Sequence, residues 1–239
     1  MPTFPFPAPE VVAPTRPAAT IVLLRDGPGG PETWLMERSR KVGFMASAWV
    51  FPGGRVDDGD AALPTRGARP EQIPLAFWTA AARELWEEAG VDLRVGGVLD
   101  LGLMCPWAHW VTPEVEPRRY DTWFFVSRLP DGQQPRIDGQ EAVAGDWFRP
   151  GDALARSAGG ALPLSPPTVR TLMELEPFDS VAGVLAAPRH TPVICPRFLH
   201  DDEGTLFVTL PGDPAHPSPD RVEPPHRYAF SAGRWWAPP

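Results

Sequence analysis

Lysine is almost missing from this chain: Lys41 is the only one in 239 residues, and the formal net charge is -8. A protein that tracks the phosphates of DNA or RNA needs a basic stripe, so polymeric nucleic acid is not expected as a partner. Arginines or bridging metal ions can still meet a small phosphate-bearing molecule, which leaves a nucleotide-like substrate open. Cysteine is nearly as scarce. Cys105 and Cys195 stand alone without CxxC spacing, which argues against a disulfide framework and a zinc site and makes a reducing cytoplasm the simplest home. No run reaches the apolar length of a membrane helix, so no membrane association is expected. "MPTFPFPAPEVVAPTRPAAT" has no basic segment leading into an apolar core, so it reads as a proline-stiffened arm rather than a secretory signal.

With 43% hydrophobic and 22% charged residues, the composition is that of a globular domain. "ATIVLLRD" (19–26), the turn "GPGG" and "ETWLMERS" (32–39) read as a β-hairpin. "ASAWVFPGG" (46–54) reads as another strand ending in a Pro-Gly-Gly turn, and 55–73 as loop. From Pro74, "PLAFWTAAARELWEEAG" has helix formers throughout, with proline at its start and Gly90 at a C-terminal cap.

Farther on, "VDLRVGGVLDLGLM", "RRYDTWFFVSRL" and "EAVAGDWFRP" read as strands, and 150–158 and 166–176 as short helices. "TPVICPRFL", "GTLFVTLPG" and "HRYAFSAGRWW" add β-like runs after 180. The expected assembly is an α+β fold, a sandwich around a mixed β-sheet. Residues 1–17 form the arm, 18–179 the main domain, and 180–239 a β-rich extension packed on that domain.

Glu84, Glu87 and Glu88 share one helix face by their i, i+3, i+4 spacing, and Arg83 lies four residues before Glu87. Three carboxylates so close repel each other unless a divalent cation or an arginine relieves them. Glutamates in the last turn also oppose the helix dipole, a local conflict typical of functional positions. Trp78 and Trp86 on the same helix read as core, and His109 as a histidine without a charged partner.

"RELWEEAGV" resembles the second half of the Nudix box, G-x5-E-x7-R-E-U-x-E-E-x-G-U with U aliphatic. "GGRVDDGD" (53–60) resembles the first half, with Asp60 where the family has glutamate and about fifteen extra residues before Arg83. Such an insertion costs little if it bulges out as surface loop. The resemblance, over roughly residues 18–160, implies an α/β/α sandwich and a magnesium or manganese cofactor. It implies Glu84, Glu87 and Glu88 as metal ligands, Gly53 as a backbone ligand, Arg83 as the residue orienting the glutamates, and catalytic roles for Glu87, Glu88 and Arg83.

"ERSRKVGFMASAWVFPGGRVD" (37–57) is similar to the stretch ahead of the box in coenzyme A diphosphatases. "HWVTPEVEPRRYDTWFFV" (109–126) and the interrupted box resemble the acyl-coenzyme A branch. That resemblance implies hydrolysis of coenzyme A or its thioesters, with Arg38, Phe51, Arg118 and Arg119 as substrate-binding candidates and Glu141 as a candidate general base. Arg40 shares a strand face with Arg38. A diphosphatase for ADP-ribose, a dinucleotide or a nucleotide sugar, a non-catalytic nucleotide sensor, and a homodimer all remain open.

Overall fold

The computed structural model describes residues 11–39, 47–137, 139 and 141–237. Most of the proline arm and Arg40 lie outside the described residues. The strands are β1 (Thr15–Gly27), β2 (Gly30–Arg38), β3 (Trp49–Val50), β4 (Gly53–Arg55) and β5 (Thr65–Arg66). Helix α1 (Leu75–Ala89) is followed by β6 (Arg94–Val95), β7 (Val98–Asp100), β8 (Met104–Val111), β9 (Arg119–Arg128) and β10 (Ala142–Phe148). Then come α2 (Pro150–Ala158), α3 (Pro166–Leu175), α4 (Val181–Ala186), β11 (Val193–Ile194), β12 (Arg197–His200), β13 (Leu206–Thr209), β14 (Arg227–Ser231) and β15 (Arg234–Trp236).

The main sheet runs β10-β2-β1-β9-β8-β11, with β3 added to β2 and β4 to β1. It is mixed, because β1 and β9 pair in parallel while β1 and β2 form the expected hairpin with Gly27 opposite Gly30. One face carries α1 over Ile21, Leu23 and Phe125; the other carries Val22, Leu24 and Phe124 against α2, α3, α4 and the C-terminal strands. This is an α+β sandwich around a mixed sheet, as expected. Among the described residues no helix is long and apolar enough to cross a membrane.

Helix α1 forms where the sequence places it. Phe77, Ala81, Leu85 and Ala89, at four-residue intervals, are buried, and Trp78 packs on Phe125 with ring centroids 4.6 Å apart. Full burial of Leu85 contributes about 2 kcal/mol. Gly90 ends the helix at φ 67°, its amide donating to the Trp86 carbonyl, a left-handed cap that favours glycine.

Several expectations need correction. The 46–54 segment is not one strand with a turn: β3 pairs with β2, the chain breaks at Pro52, and Gly53–Gly54 begin β4 against β1. Strand β8 ("MCPWAHWV") was not anticipated; it pairs with β9 through a register shift between Pro106 and Ala108. Helix α4 interrupts the β-like C-terminal reading. Trp86 is 49% exposed, its ring under the Arg94 guanidinium, whereas Trp78 is core. His109 has a charged partner: Nε2 lies 2.5 Å from Asp121 Oδ1, and the ring stacks on Trp123.

Strands β12-β13-β14-β15 form a second sheet. Its Val208 and Tyr228 join the same core as Val22 and Leu24. Arg170 of α3, paired with Glu174 at 2.8 Å, donates to the Pro225 carbonyl and ties the sheets together. Within the second sheet Asp213 accepts from Arg227 Nε and Nη2 at 2.9 and 3.0 Å and from the Ala215 amide at 2.8 Å. Burial alone would push this carboxyl up, but Arg227 and the amide outweigh it and hold it below the usual range.

A depressed carboxyl stabilises the fold fully above its unfolded value of about 3.9, and that contribution is lost as pH falls through the folded value. Asp213→Asn therefore lowers the melting temperature at neutral pH, and its difference from wild type shrinks in acid. Thermal melts across that acid range check this; a constant difference refutes the role of the Asp213 charge.

Candidate active site

Arg83 is the hub of the α1 surface. Its Nε and Nη2 grip Asp60 at 2.9 and 3.1 Å, its Nη1 donates to Glu84 and Glu87 at 2.9 and 2.8 Å, and its Nη2 donates to the Arg55 carbonyl at 2.8 Å. The bond to Asp60, with the neighbouring carboxylates, raises the arginine's pKa further, so it is always charged. Asp60 is 2% exposed and also accepts the Asp57 amide at 2.8 Å. The shorter side chain thus reaches the guanidinium in a fork across the whole insertion. Residues 60–62 form a 3-10 turn, Thr65–Arg66 pair with β7, and Arg66 binds Asp100 at 2.9 Å, so the insertion is anchored where a bare loop was expected.

The three helix glutamates differ. Glu87 is the most open, while Glu84 and Glu88 turn toward β4. Burial pushes the Glu84 carboxyl up against the pull of Arg83. Burial also pushes Glu88 up, to about 8, although the Gly53 amide donates to its Oε2 at 2.8 Å and Arg38 lies near enough to oppose the shift. Glu84 and Glu141 add repulsion at Glu88. Arg38, Gly53, Glu88 and Glu141 therefore converge, although β2, β4, α1 and the approach to β10 carry them.

Strand geometry explains the two glycines. A Cβ on Gly54 would stand 2.4 Å from Glu84 Oε1, and one on Gly53 would stand 2.6 Å from the Ala19 carbonyl oxygen. The Glu84 side chain of α1 comes this close to β4 because Gly54 has no side chain, and β4 packs this closely on β1 because Gly53 has none. Among the described residues no three carboxylate, imidazole or thiol groups stand together as a ready metal cage; Arg83 fills the space among the acids.

Beside Gly53 opens a cavity of about 400 Å³ between the main sheet and the second sheet. Arg38 and Phe51, two of the substrate-binding candidates, line it. Arg118 and Arg119 do not. Arg118 is exposed in the loop before β9, and Arg119 donates to the Thr112 and Ala13 carbonyls, both at 3.0 Å, bracing the N-terminal segment. The sequence reading also missed Trp110, Phe198 and Trp235 in the cavity wall. Their aromatic density was visible, but their convergence depends on β8 and on the packing of the second sheet.

Residues 74–172 match the family model described as NUDIX domain. The chain is similar to the acyl-coenzyme A diphosphatase NUDT19 of Gallus gallus, 26% identical over 84% of this chain and 80% of that protein. It is also similar to the acyl-coenzyme A diphosphatase NUDT19 of Xenopus laevis, 23% identical over 90% and 77%. Among solved structures, a NUDIX hydrolase from Alicyclobacillus acidocaldarius superposes with a TM-score of 0.69 at 27% identity, covering 76% of this chain and all of that one. The glycine-lined strand, the arginine-bound acids and these likenesses agree: residues 74–172 carry a Nudix domain, and the chain is similar over most of its length to Nudix hydrolases.

Proposed function

We propose that this protein is a divalent-metal-dependent diphosphatase of coenzyme A or its acyl thioesters. The observation that carries the reading is the placement of Glu88. A half-buried carboxylate lies against Gly53, a residue of the cavity wall, with Glu84 and Glu87 on the same helix and Arg38 near enough to act on it electrostatically. The names of the Gallus gallus and Xenopus laevis relatives support the substrate.

The donor set suits magnesium or manganese, which prefer hard oxygen ligands. Glu84 and Glu88 are carboxylates whose burial resists ionisation, and such groups gain most from a cation. Gly54 leaves room beside Glu84 that any side chain would fill. Glu84, Glu87 and Glu88, with the Gly53 carbonyl, would hold the ion. When bound, a divalent ion neutralises diphosphate oxygens and lowers the pKa of a nearby water.

The chain's own residues supply the rest. Arg83 holds Glu84 and Glu87 in place and is itself fixed by Asp60, so these two act by positioning. Arg38 provides a fork suited to a phosphate, and Phe51 walls the adjoining space. Water attacks one phosphorus as the bridging P–O bond breaks, giving 3',5'-adenosine bisphosphate and a phosphopantetheine product. The water's proton passes to Glu141 or to a helix glutamate.

The test is product analysis with coenzyme A, acyl-coenzyme A, ADP-ribose, NADH and nucleotide sugars, with magnesium, manganese or chelator. Metal-dependent release of adenosine bisphosphate from the coenzyme A compounds is the expected result. Preferential cleavage of another substrate replaces the substrate assignment, and tight binding without cleavage of any replaces the enzyme by a sensor.

A further inference from the structure

The cavity beside Gly53 is lined mostly by apolar and aromatic side chains. Arg38 lines it beside the paired Thr20 and Gly53, and Val50, Phe51, Trp110, Phe124, Phe198 and Trp235 contribute apolar wall. Three of its hydroxyl groups already have partners within the protein. Ser165 Oγ and Thr168 Oγ1 lie 2.9 Å apart at the N-terminus of α3, and Thr112 Oγ1 accepts the Tyr120 amide at 3.0 Å. Arg38 and Glu116 are the only charged side chains among the described lining residues. A base or sugar edge pressed against these walls would leave buried donors and acceptors poorly matched, whereas a hydrocarbon chain has none to satisfy.

We propose that this cavity receives the acyl tail of the substrate, and that Phe198 and Trp235 of the second sheet determine how long a chain is accepted. The proposal rests on the coenzyme A reading and adds to it the end of the molecule that enters and the residues that select it. Phe198 comes from β12 and Trp235 from β15; Trp235 also packs on Phe230, with ring centroids 4.9 Å apart, so its ring is braced from behind. The second sheet is therefore part of the specificity apparatus. Chain length is read at Phe198 and Trp235, while the diphosphate lies by Gly53 and Glu88.

The experiment compares kcat/KM for free, acetyl-, hexanoyl-, octanoyl- and palmitoyl-coenzyme A, below their micelle concentrations. In the wild type the value rises with each methylene, by up to about fourfold, until the cavity is full, and then levels or falls. Phe198→Ala and Trp235→Ala flatten the rise or move its limit, while Trp235→Phe retains most of it. Melting temperatures identify any variant that fails to fold, and Trp235→Phe supplies a mild alternative.

A second readout uses lauroyl-pantetheine, which has the tail but neither diphosphate nor nucleotide; its binding is followed by quenching of the cavity tryptophans. Saturable quenching that weakens in Phe198→Ala supports the tail site. No dependence on chain length with free coenzyme A still cleaved, unchanged profiles in folded variants, or no lauroyl-pantetheine binding overturns it. Failure to cleave any coenzyme A compound, with lauroyl-pantetheine still bound, overturns the substrate reading alone.

Discussion

Glu88→Gln lowers metal-supported kcat/KM by on the order of a thousandfold while leaving the chelated protein at least as heat-stable as wild type. The two effects have one origin. Glu88 is a carboxylate packed against β4 beside Glu84 and Glu141, and among the described residues the Gly53 amide donates to it. An amide of the same shape still accepts that bond and never ionises in a place that disfavours charge, so the fold loses nothing. In the proposed site, the cation and the transition-state charge would lose a ligand that a neutral oxygen replaces poorly. Steady-state turnover with magnesium and thermal melts in chelator measure the pair. Turnover within tenfold of wild type would remove Glu88 from the metal site.

Arg83→Met has the opposite balance, because it damages the fold as well as the chemistry. It strands Asp60, whose side chain is 1% exposed, and releases Glu84 and Glu87. Removing one partner of a buried pair costs about 3–5 kcal/mol. In a chain of this size that lowers the melting temperature by roughly 10 °C. Activity falls at least as far, since the glutamates lose their alignment. Combining Arg83→Met with Asp60→Asn recovers part of the stability and none of the activity. If the double variant melts no higher than the single one, the stranded Asp60 charge is not the source of the loss.

Local signals were legible where periodicity and caps coincide. Gly90 and the apolar spacing of Phe77, Ala81 and Leu85 define α1, and Pro150 and Pro166 mark the first turns of α2 and α3. The glutamate cluster could be read because helical spacing alone puts Glu84, Glu87 and Glu88 on one side. What separates them could not: Glu88 meets Gly53 across 35 residues of sequence. The Gly53–Gly54 pair looked like a turn because glycine does not say whether it is there to bend the chain or to let a helix come close. Strand β8 was hidden by Pro106 and its register shift. Arg119 shows the same limit, since no local pattern reveals that its guanidinium braces Ala13 and Thr112.

The Asp60–Arg83 bond closes the neck of the insertion, and this gives the region between them a modular character. Beyond the β5 pairing at Thr65–Arg66, the described stretch from Gly67 to Pro70 contributes little to either core, while Ile73 and α1 resume the packed structure. Chain added within that loop lengthens an excursion whose ends are already clasped, and the entropic cost grows only slowly with length. Descendants of such a box are free to vary this loop in size, and a reporter domain grafted there should leave helix α1 and its glutamates in register.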